Sequence, residues 1–524
     1  MRRRIAVLTL GVVLSLSGAA GAKVLRVGSY HGIRGQFSSI QAAVDAAKPG
    51  DWILVGPGDY KTSSSRAPKG GSNFPAGVLM TTRDVYLRGM NRNTVIVDGT
   101  KPGSARCSSQ ESSQNFGPKS SKGAKGLNGI MVWKAANVWV QNLTACNFLG
   151  GSGDAGNGIW WNGGANSGKV GGHGFYGSYL TATSTYYGGE KTAATYGIFS
   201  SNWSGGTWDQ TYASNFNDSG YYIGACSQIC DQTMNHAWGE FNALGYSGSN
   251  SGGKLLIENS QFDNNKDGFD TNSQNGDEPS PQNGACPGNA VSPITHTHSC
   301  WVFMHNYVHD NNNPNVPAAG IASAGPVGTG MSVSGGRNDT IMDNRFVNND
   351  AWGVIFVAFP DQGPPCKGGT LNFPLLGAGG CLYDEWGDAL VNNVFSHNGS
   401  FGNPTNGDFG QLNLEAGHAT DCYSGNTEQG GGAPTSSSAN LQQTNPKCDG
   451  SVVPANDNLP FLGEVYCDSQ LDLSLCQPTD HYPRVTKIVM HPLPKNLPTM
   501  PKPCAGVPAN PWCQAGSKHS GYKL

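Results

Sequence analysis

The sequence predicts an all-β chain folded as a parallel β-solenoid, and two repeating features lead to that prediction. Short apolar strands of three to five residues recur, each followed by Asn at a bend, as in LLIENSQFDNNKDGFDTN at 255–272. Glycines that open strands recur 23 residues apart, from Gly197 to Gly220 and from Gly330 to Gly353. A unit this short cannot bury its apolar face alone, so it must stack on its neighbours. The same plan returns at 138–161, 301–309, 340–356 and 389–397.

The residues between the strands indicate the bends and loops of this solenoid. Asn tolerates the left-handed backbone conformation at a bend and can bond its neighbours along a stack. Longer glycine spacings, from Gly220 to Gly268 and from Gly268 to Gly330, predict coils that carry large loops. In a solenoid such insertions gather on one face and build the binding surface. The predicted insertions are 273–299, 311–329 and 360–383.

The chain opens with a stretch typical of a secretion signal. Three arginines at 2–4 precede an apolar run at 5–16, and small residues at 20–22 offer a cleavage site before Lys23. A membrane anchor is the alternative, but the apolar run is short for a bilayer span. The predicted divisions are a signal at 1–22, a cap with the first coils at 23–100, coils with loop insertions at 101–429, and a linker with a Cys/Pro-rich tail at 430–524.

A helix is predicted soon after the first strand. Ser38 is the expected N-cap and Gln41 stands three residues later, which makes a capping box. Ile40, Ala43, Val44 and Ala47 recur with helical spacing and form one apolar face. The run Lys-Pro-Gly at 48–50 ends the helix.

The segment 37–60, FSSIQAAVDAAKPGDWILVGPGDY, resembles the N-terminal cap of secreted proteins with the right-handed parallel β-helix, or pectin-lyase-like, fold. The later Asn/Gly-rich repeats resemble the coils of that family and extend the likeness to about residue 418. The resemblance implies that the helix plugs the open end of the solenoid. Physics agrees, since an end coil exposes apolar core and needs a cover.

Cysteine usage indicates an oxidising compartment. The chain has 14 cysteines, an even number, and all of them follow the predicted signal, which favours disulfides in an exported chain. Zinc is the alternative, but no paired C-x₂-C sets occur. Connectivity does not follow from sequence, and a preference for short loops suggests the pairs 107/146, 226/230, 286/300, 366/381, 422/448, 467/476 and 504/513.

Composition limits the class of protein and partner. The chain has 524 residues with 75 Gly, and the lack of a strict three-residue Gly period excludes collagen. Hydrophobic residues make up 37% and are spread along the chain, which opposes global disorder. A net charge of −3 offers no basic surface for nucleic acid. We therefore expect an exported, extracellular or periplasmic monomer with no membrane segment once the signal is removed.

The most prominent chemical candidate is the aspartate-rich stretch around NNKDGFDTN. Clustered carboxylates could hold Ca²⁺, which takes about six to eight oxygen ligands. DGFD at 267–270 resembles part of the calcium-binding stretch of family-nine type pectate lyases, and this resemblance implies a metal-held acidic sugar and a Lys that removes its proton. The alternative is an ordinary coil with Asp as a corner residue. The candidate metal ligands are Asp263, Asp267, Asp270 and Asp277.

Candidate catalytic residues come from the same stretch and the coil after it. The family pattern favours adjacent aspartates, whereas this chain has Lys266 before Asp267. The coil that follows, at 330–333, carries no Lys where a base would be expected, so Lys266 and Arg337 are the substitutes. The candidate set is Asp267, Asp270, Lys266 and Arg337.

Two further features bear on function. Asp384, Glu385 and Asp388 could hydrolyse a glycosidic bond if held about 5–9 Å apart, although a solvated loop is the favoured interpretation. The region 155–245 is rich in Trp and Tyr, which suits stacking against sugars or, equally, ring ladders inside or beside the coils.

Two functional hypotheses follow. In the first, the protein is a carbohydrate-active enzyme, a lyase or hydrolase that acts on a polysaccharide or cell-wall glycan. In the second, it is a non-catalytic surface or adhesion protein that binds glycan along its coils. Fold alone does not decide between them.

Overall fold

Two long sheets of parallel strands form the body of the protein. The computed structural model describes residues 21–62, 65–164, 169–226, 229–276, 281–452, 456 and 458–514. The first sheet has 19 strands and the second has 11, and neighbouring strands of both sheets pair in parallel from one coil to the next. The predicted all-β parallel β-helix is therefore confirmed. The predicted signal at 1–22 lies almost wholly outside the described residues and stays a prediction.

The strands of the first sheet are Val24–Val27, Trp52–Val55, Gly58–Lys61, Tyr86–Gly89, Val95–Asp98, Val138–Cys146, Phe175–Thr183, Gly206–Ser214, Gln232–Glu240, Leu255–Glu258, Gln261–Asp263, Trp301–Met304, Tyr307–His309, Asp339–Met342, Arg345–Val347, Ala389–Val391, Val394–Ser396, Cys422–Ser424 and Thr427–Glu428. Those of the second sheet are Ala76–Met80, Asn128–Trp133, Ile159–Asn162, Tyr196–Ser201, Ser219–Gly224, Leu244–Ser249, Asp267–Asn272, Thr329–Ser334, Trp352–Val357, Gly407–Leu412 and Ser436–Ser437. Short side pairings join Ser29–Tyr30 to Ile33–Arg34, Lys119–Ser120 to Gly123–Ala124, Gly172–His173 to Trp203–Ser204, and Gly380–Tyr383 to both Phe359–Gln362 and Thr370–Leu371.

The coil spacing agrees with the glycine period in two places and corrects it in a third. Ile198 pairs with Tyr221 and Met331 pairs with Val354, each one coil and 23 residues later, as the glycines predict. The long spacing from Gly220 to Gly268 does not mark a large loop, because Tyr221 pairs with Tyr246 and Tyr246 pairs with Phe269. Two ordinary coils fill that interval. The strand between them, Leu244–Ser249, carries Gly245 as its second residue, the position that Gly220 and Gly268 hold in their strands.

Some strands are longer than the predicted three to five residues. Four strands of the first sheet have nine residues each, and each turns a corner without ending. A residue with left-handed backbone makes the bend inside each strand, and these are Asn142, Tyr179, Gln210 and His236.

The predicted helix is present as α1, Ile40–Ala46, and its apolar face is buried with Val27 and Ile53 in the core. The N-cap is Ser39, not the predicted Ser38, and its hydroxyl accepts from Ala42 N at 3.3 Å. Gln41 makes no capping box. Its side chain instead pairs with the backbone of Leu79 at 2.7 and 3.2 Å, which fastens the helix to the second sheet.

Two successive asparagines at a corner have different roles. Asn264 and Asn348 adopt the left-handed conformation, with φ of 55° and 53°. The residue after the bend bonds along the stack: the backbone and side-chain nitrogens of Asn349 donate to Asn398 Oδ1 at 3.1 and 3.2 Å. Two such amide ladders run through the coils, one of Asn242, Asn265, Asn311, Asn349 and Asn398 and one of Asn306, Asn344, Asn393 and Asn426.

All seven predicted disulfides form, and none of the cysteines is free. Local pairing is physically reasonable because short loops bring their ends together at low entropic cost. Two of the bonds pin the insertions near 290 and 370. The bonds are Cys107–Cys146, Cys226–Cys230, Cys286–Cys300, Cys366–Cys381, Cys422–Cys448, Cys467–Cys476 and Cys504–Cys513.

The C-terminal segment contains two helices and then runs back along the coils. Helix α2 is Leu441–Thr444 and α3 is Leu459–Asp468, with Phe461 of α3 buried against Trp352. Four asparagines of the coils, Asn315, Asn215, Asn93 and Asn142, bond residues Thr486, His491, Leu497 and Met500 of the returning chain. Single-turn 3₁₀ helices lie at Glu111–Ser113, Glu190–Thr192, Pro287–Asn289, Gly320–Ala324 and Leu473–Leu475. Within the described part of the chain, no helix has the length and apolar character to cross a membrane.

Candidate functional site

One row of outward-facing side chains on the second sheet changes character along the stack. Trp160 pairs with Phe199 in the next coil, and Phe199 pairs with Tyr222. In the next two coils, Ser247 and Asp270 occupy the same register position. Coils lie about 4.8 Å apart, so the row runs from rings to a carboxylate over about 19 Å.

Two adjoining cavities lie over this row, and we call them together the outer groove. The larger encloses about 900 Å³ and the smaller about 500 Å³. Both are lined by Tyr222, Tyr196 and Asp218, and the Tyr196 hydroxyl donates to Asp218 Oδ2 at 2.9 Å. The insertion at 314–327 and helix α3 provide walls of the larger cavity. The groove therefore joins an aromatic end to an acidic one.

The aromatic residues of this region pack in two places, inside the coil stack and on its outer side. Trp161 and Tyr221 point inward and are fully buried in the core. Their neighbours Trp160 and Tyr222 point outward and pack in a separate cluster with Phe199. The two rings of Trp160 and Phe199 stack with centroids 4.7 Å apart. Alternation along a strand sends adjacent aromatic residues to opposite faces.

Asp270 is the carboxyl group of the groove that is a candidate for proton transfer. Its Oδ1 accepts from Ser334 Oγ at 3.2 Å, and its Oδ2 accepts from the Asn272 side chain. Burial raises the pKa of Asp270 to about 6, and these two hydrogen bonds oppose the rise. A carboxyl group that titrates near neutral pH can exchange a proton with a ligand in the groove.

Lys266 lies at the same end of the groove and is almost fully buried. Its ammonium donates to the Ser323 carbonyl oxygen at 2.5 Å. Burial lowers the pKa of Lys266, while the charges of Asp468 and Asp267 oppose that shift. Asp468, at the end of α3, lines the groove as well, and burial raises its pKa well above the usual range. Sequence patterns did not single out Asp468, since a tail residue gives no sign of the coil it will meet.

The predicted metal ligands are divided between two sheets. Asp263 ends a strand of the first sheet, where its Oδ1 accepts from Trp238 Nε1 at 2.7 Å. Asp267 lies on the second sheet with Asp270, and its oxygens accept from Ser332 Oγ at 2.8 Å and Phe269 N at 3.2 Å. Asp277 lies outside the described residues.

The donor set around this pair does not fit a resident Ca²⁺. All four carboxylate oxygens of Asp267 and Asp270 accept hydrogen bonds from hydroxyl or N–H groups of the chain. A calcium ion needs such oxygens free to converge on it. Calcium at this stretch therefore stays a prediction without support from the surrounding hydrogen bonds, and no step below depends on it.

Arg337 belongs to a different part of the molecule. Its guanidinium stacks on Trp386 at 3.4 Å from the ring centre, and its Nε donates to the Asp384 carbonyl at 3.2 Å. Burial lowers the pKa of Arg337, and the charges of Glu415, Asp384 and Asp388 oppose the shift. It lines neither cavity of the outer groove.

The expectation of a solvated loop at Asp384, Glu385 and Asp388 is wrong. All three side chains have no solvent exposure. Asp388 precedes the strand Ala389–Val391, and its backbone N donates to Asp421 Oδ1 at 2.8 Å in the next coil. The sequence carries a signal that was missed: DTIMDN, DALVNN and DCYSGN each place Asp five residues before a ladder Asn. These three hexapeptides begin at Asp339, Asp388 and Asp421.

Comparisons with known proteins add the following. No protein-family model matches the chain, and no curated protein matches it. Among solved structures, the A-module of Azotobacter vinelandii mannuronan C-5 epimerase AlgE6 is 15% identical over 76% of this chain and 86% of that chain, with a TM-score of 0.41. The family 28 exopolygalacturonase of Yersinia enterocolitica is 10% identical over 78% of this chain and 76% of that chain, with a TM-score of 0.43.

A third similar structure is pectate lyase Pel9A, which is 15% identical over 78% of this chain and 75% of that chain, with a TM-score of 0.33. Scores and identities this low say nothing about which residues of the chain act. The coil stack itself, with its two parallel sheets, confirms the predicted resemblance to pectin-lyase-like β-helix proteins at the level of the fold.

Proposed function

We propose that the protein binds a polysaccharide in the outer groove and cleaves it, with Asp270 transferring the proton. The observation that carries this proposal is the single register row that leads from Trp160 through Tyr222 to Asp270. A row of side chains at a constant spacing suits a polymer that lies along the coils. The seven disulfides are those of a protein that works in an oxidising compartment, where such polymers occur.

The aromatic end of the groove supports sugar binding. Aromatic rings present apolar faces that pack against the faces of sugars, and the Tyr hydroxyl adds a hydrogen bond. Tyr222 lines both cavities, so a chain that spans them passes this residue.

The acidic end supports proton transfer. Asp270, with its pKa raised to about 6, is largely ionised at neutral pH and suits a general base. Lys266 places a positive charge at the same end of the groove, where it can attract an acidic sugar. Activity that depends on ionised Asp270 should rise with pH through about 6, because the base must lose its proton first.

The test uses purified protein against a panel of acidic and neutral plant and bacterial polysaccharides. Cleavage is read as reducing ends and as the absorbance of unsaturated sugar, which separates hydrolysis from elimination. Asp270→Asn should reduce cleavage by at least ~100-fold while binding persists, in the range typical for loss of a proton-transfer group. Tyr222→Ala should weaken binding by roughly 2- to 12-fold, since one ring contact is worth about 0.5–1.5 kcal/mol.

Two control variants lie on the outer face of the first sheet. Asp209→Asn and Tyr307→Ala change the same residue types outside the groove and should behave as wild type. Wild-type cleavage by Asp270→Asn would sink the assignment of the base. Failure to bind any polysaccharide in the panel would sink the proposal as a whole.

A second candidate function is glycan binding without cleavage. It is favoured by the state of the other predicted catalytic residues: Asp267 has no exposed surface, and the Lys266 amine is held by Ser323. Binding that depends on Tyr222, with no new reducing ends and no unsaturated product, would establish this candidate in place of the first.

A further inference from the structure

A group of three buried carboxylates lies among the coils away from the outer groove, and we call it the acidic cluster. It consists of Glu385, Asp388 and Asp421, each with no solvent exposure. One oxygen from each residue lies within 4.8 Å of the others. Two oxygens bound to the same Ca²⁺ at ~2.4 Å can be at most ~4.8 Å apart, so this spacing fits one coordination sphere.

Within the described residues, hydrogen bonds leave several oxygen atoms of the cluster unused. Both carboxylate oxygens of Glu385 and Oδ2 of Asp388 meet no N–H or hydroxyl donor of the described residues, and the contact between the Glu385 and Asp421 carboxyl groups is a hydrogen bond only while one of the two keeps a proton. By contrast, Oδ2 of Asp421 accepts from Gln411 at 2.9 Å. An ionised carboxylate that is buried without a donor is costly, so something else must compensate its charge.

Tyr423 supplies a second, separate indication. Its hydroxyl is buried and finds no hydrogen-bond partner among the described residues. The charges of Asp421, Glu385 and Asp388 act on this hydroxyl and, after burial, raise the pKa of Tyr423 well above its usual range. Buried polar groups almost always have a partner, and an ion is one of the partners that satisfy such a group. The structure therefore contains a buried hydroxyl without a partner in the same part of the core as the three carboxylates, and a bound ion would give it one.

The balance of charge also favours a divalent cation. Among the described residues, Arg337 is the arginine whose charge interacts with the cluster, through Asp388. Three ionised carboxylates would carry three negative charges, the charges of Asp384 and Asp339 also act on them, and Arg337 shares its charge among Glu415, Asp384 and Asp388. Arg337 therefore leaves the cluster with an excess of negative charge, which a doubly charged cation would reduce. The available ligands are carboxylate oxygens, and such ligands favour a hard ion of the calcium class over ions that prefer sulfur or nitrogen.

We propose that Glu385, Asp388 and Asp421, with the Tyr423 hydroxyl, bind a hard divalent cation inside the coil stack. This site stabilises the fold, because it joins Asp388 and Asp421 of successive coils to the loop before Ala389. It does not depend on the function proposed for the outer groove.

The ion is tested on full-length, disulfide-intact protein. Elemental analysis after exhaustive dialysis should find about one Ca²⁺ per chain, or the apoprotein prepared with chelator should bind one. Melting temperature should rise with the logarithm of free Ca²⁺, since a ligand that binds only the native state stabilises it. Terbium should show luminescence sensitised by aromatic excitation and should be displaced by calcium.

Glu385→Gln should abolish both the bound ion and the calcium-dependent rise. Asp270→Asn is the matched control, a carboxylate outside the cluster, and should retain both. Should Glu385→Gln fail to fold, Asp388→Asn takes its place, because an amide fills the equivalent slot at Asn393. The proposal is overturned if wild type binds no divalent cation, or if both cluster variants bind it as wild type does. A protein free of metal that becomes more stable on Glu385→Gln would show instead that Glu385 and Asp421 share a proton.

Discussion

The two kinds of polar ladder in the stack occupy equivalent corners but satisfy their hydrogen bonds differently. In the amide ladder, Asn344 N and Nδ2 donate to Asn393 Oδ1 at 2.9 and 3.0 Å, and Asn344 Nδ2 also donates to the Phe303 carbonyl at 2.9 Å. In the carboxylate ladder, Asp339 N donates to Asp388 Oδ1 at 2.7 Å. Asp339 has no side-chain nitrogen, so it cannot make the further bonds that Asn344 Nδ2 makes.

The difference shows what a carboxylate needs in a slot built for an amide. Glutamines from elsewhere supply the missing donors at two positions, where Gln282 bonds Asp339 and Gln411 bonds Asp421. Asp388 lies between them and receives no such donor at Oδ2. The amide ladder is complete by itself, whereas the carboxylate ladder must take up protons or a cation to be stable in the core.

The largest effect is expected from removing an amide at the middle of its ladder. Asn344→Ala leaves Asn306 N without its acceptor and removes the donor to Phe303, and both groups are buried. Each unsatisfied buried group costs about 1–3 kcal/mol, so unfolding free energy should fall by about 3–5 kcal/mol. Unfolding in denaturant measures this fall in free energy. Asn235→Ala, half-exposed on the first sheet, should cost under about 1 kcal/mol, and an equal loss in both variants would refute a special role for the ladder.

The second-largest expected effect is on the pH dependence of the free energy of unfolding. Burial, then the charges of Asp421 and Asp339, raises the pKa of Asp388 well above its usual range, and Glu385 and Arg337 also face this part of the core. The folded state then holds protons that the unfolded chain has released. Without added cations, stability should be highest near or below the unfolded pKa of about 3.9 and should fall as pH rises toward the folded pKa.

Exchanging residues between the amide and carboxylate ladders tests whether the buried carboxylates cause this pH dependence. Asp388→Asn should remove part of the loss of unfolding free energy between acid and neutral pH, because the amide does not titrate. Asn393→Asp should introduce a loss of the same sign. The free energy of unfolding is measured in the presence of chelator across the pH range. If it changes with pH in the same way in wild type and both variants, the carboxylate ladder is not the cause of the pH dependence.

The sequence predicts the parts of the fold that depend on local repetition. The apolar face Ile40, Ala43 and Val44 gives the helix, and nearby cysteines such as Cys467 and Cys476 find each other because short loops close easily. It fails where a residue's role depends on a distant coil. Asp384 and its neighbours look hydrophilic in sequence, yet stacking buries them completely.

The candidate site shows the same limit. The resemblance of the DGFD stretch to a known pattern points to Asp270, which does line the outer groove. Charge alone points to Arg337, which stacks on Trp386 and lines neither cavity of that groove. The row from Trp160 to Asp270 is a property of strand register, which the unequal loop lengths between coils conceal in the sequence.

The smallest effect is expected at an asparagine whose bonds go mainly to the returning tail, as at Asn215, whose Nδ2 has one bond to the neighbouring coil, to Thr183 Oγ1 at 3.3 Å. Asn215 Nδ2 donates to the His491 carbonyl at 3.1 Å, and Asn215 Oδ1 accepts from His491 N at 3.1 Å. His491 also stacks on Phe241 with centroids 3.5 Å apart. Asn215→Ala removes two bonds from a segment without regular structure, so global unfolding free energy should fall by under about 1.5 kcal/mol.

The local effect of that change should exceed the global one. Amide hydrogen exchange near His491 should speed up in Asn215→Ala, while exchange in the coil strands stays as in wild type. Asn93→Ala is the matched control, because it removes the equivalent pair of bonds to Leu497 and should loosen that residue instead. If Asn215→Ala destabilised the whole chain as much as Asn344→Ala, the tail would belong to the same cooperative unit as the coils. The distinction between ladder and tail asparagines would then be lost.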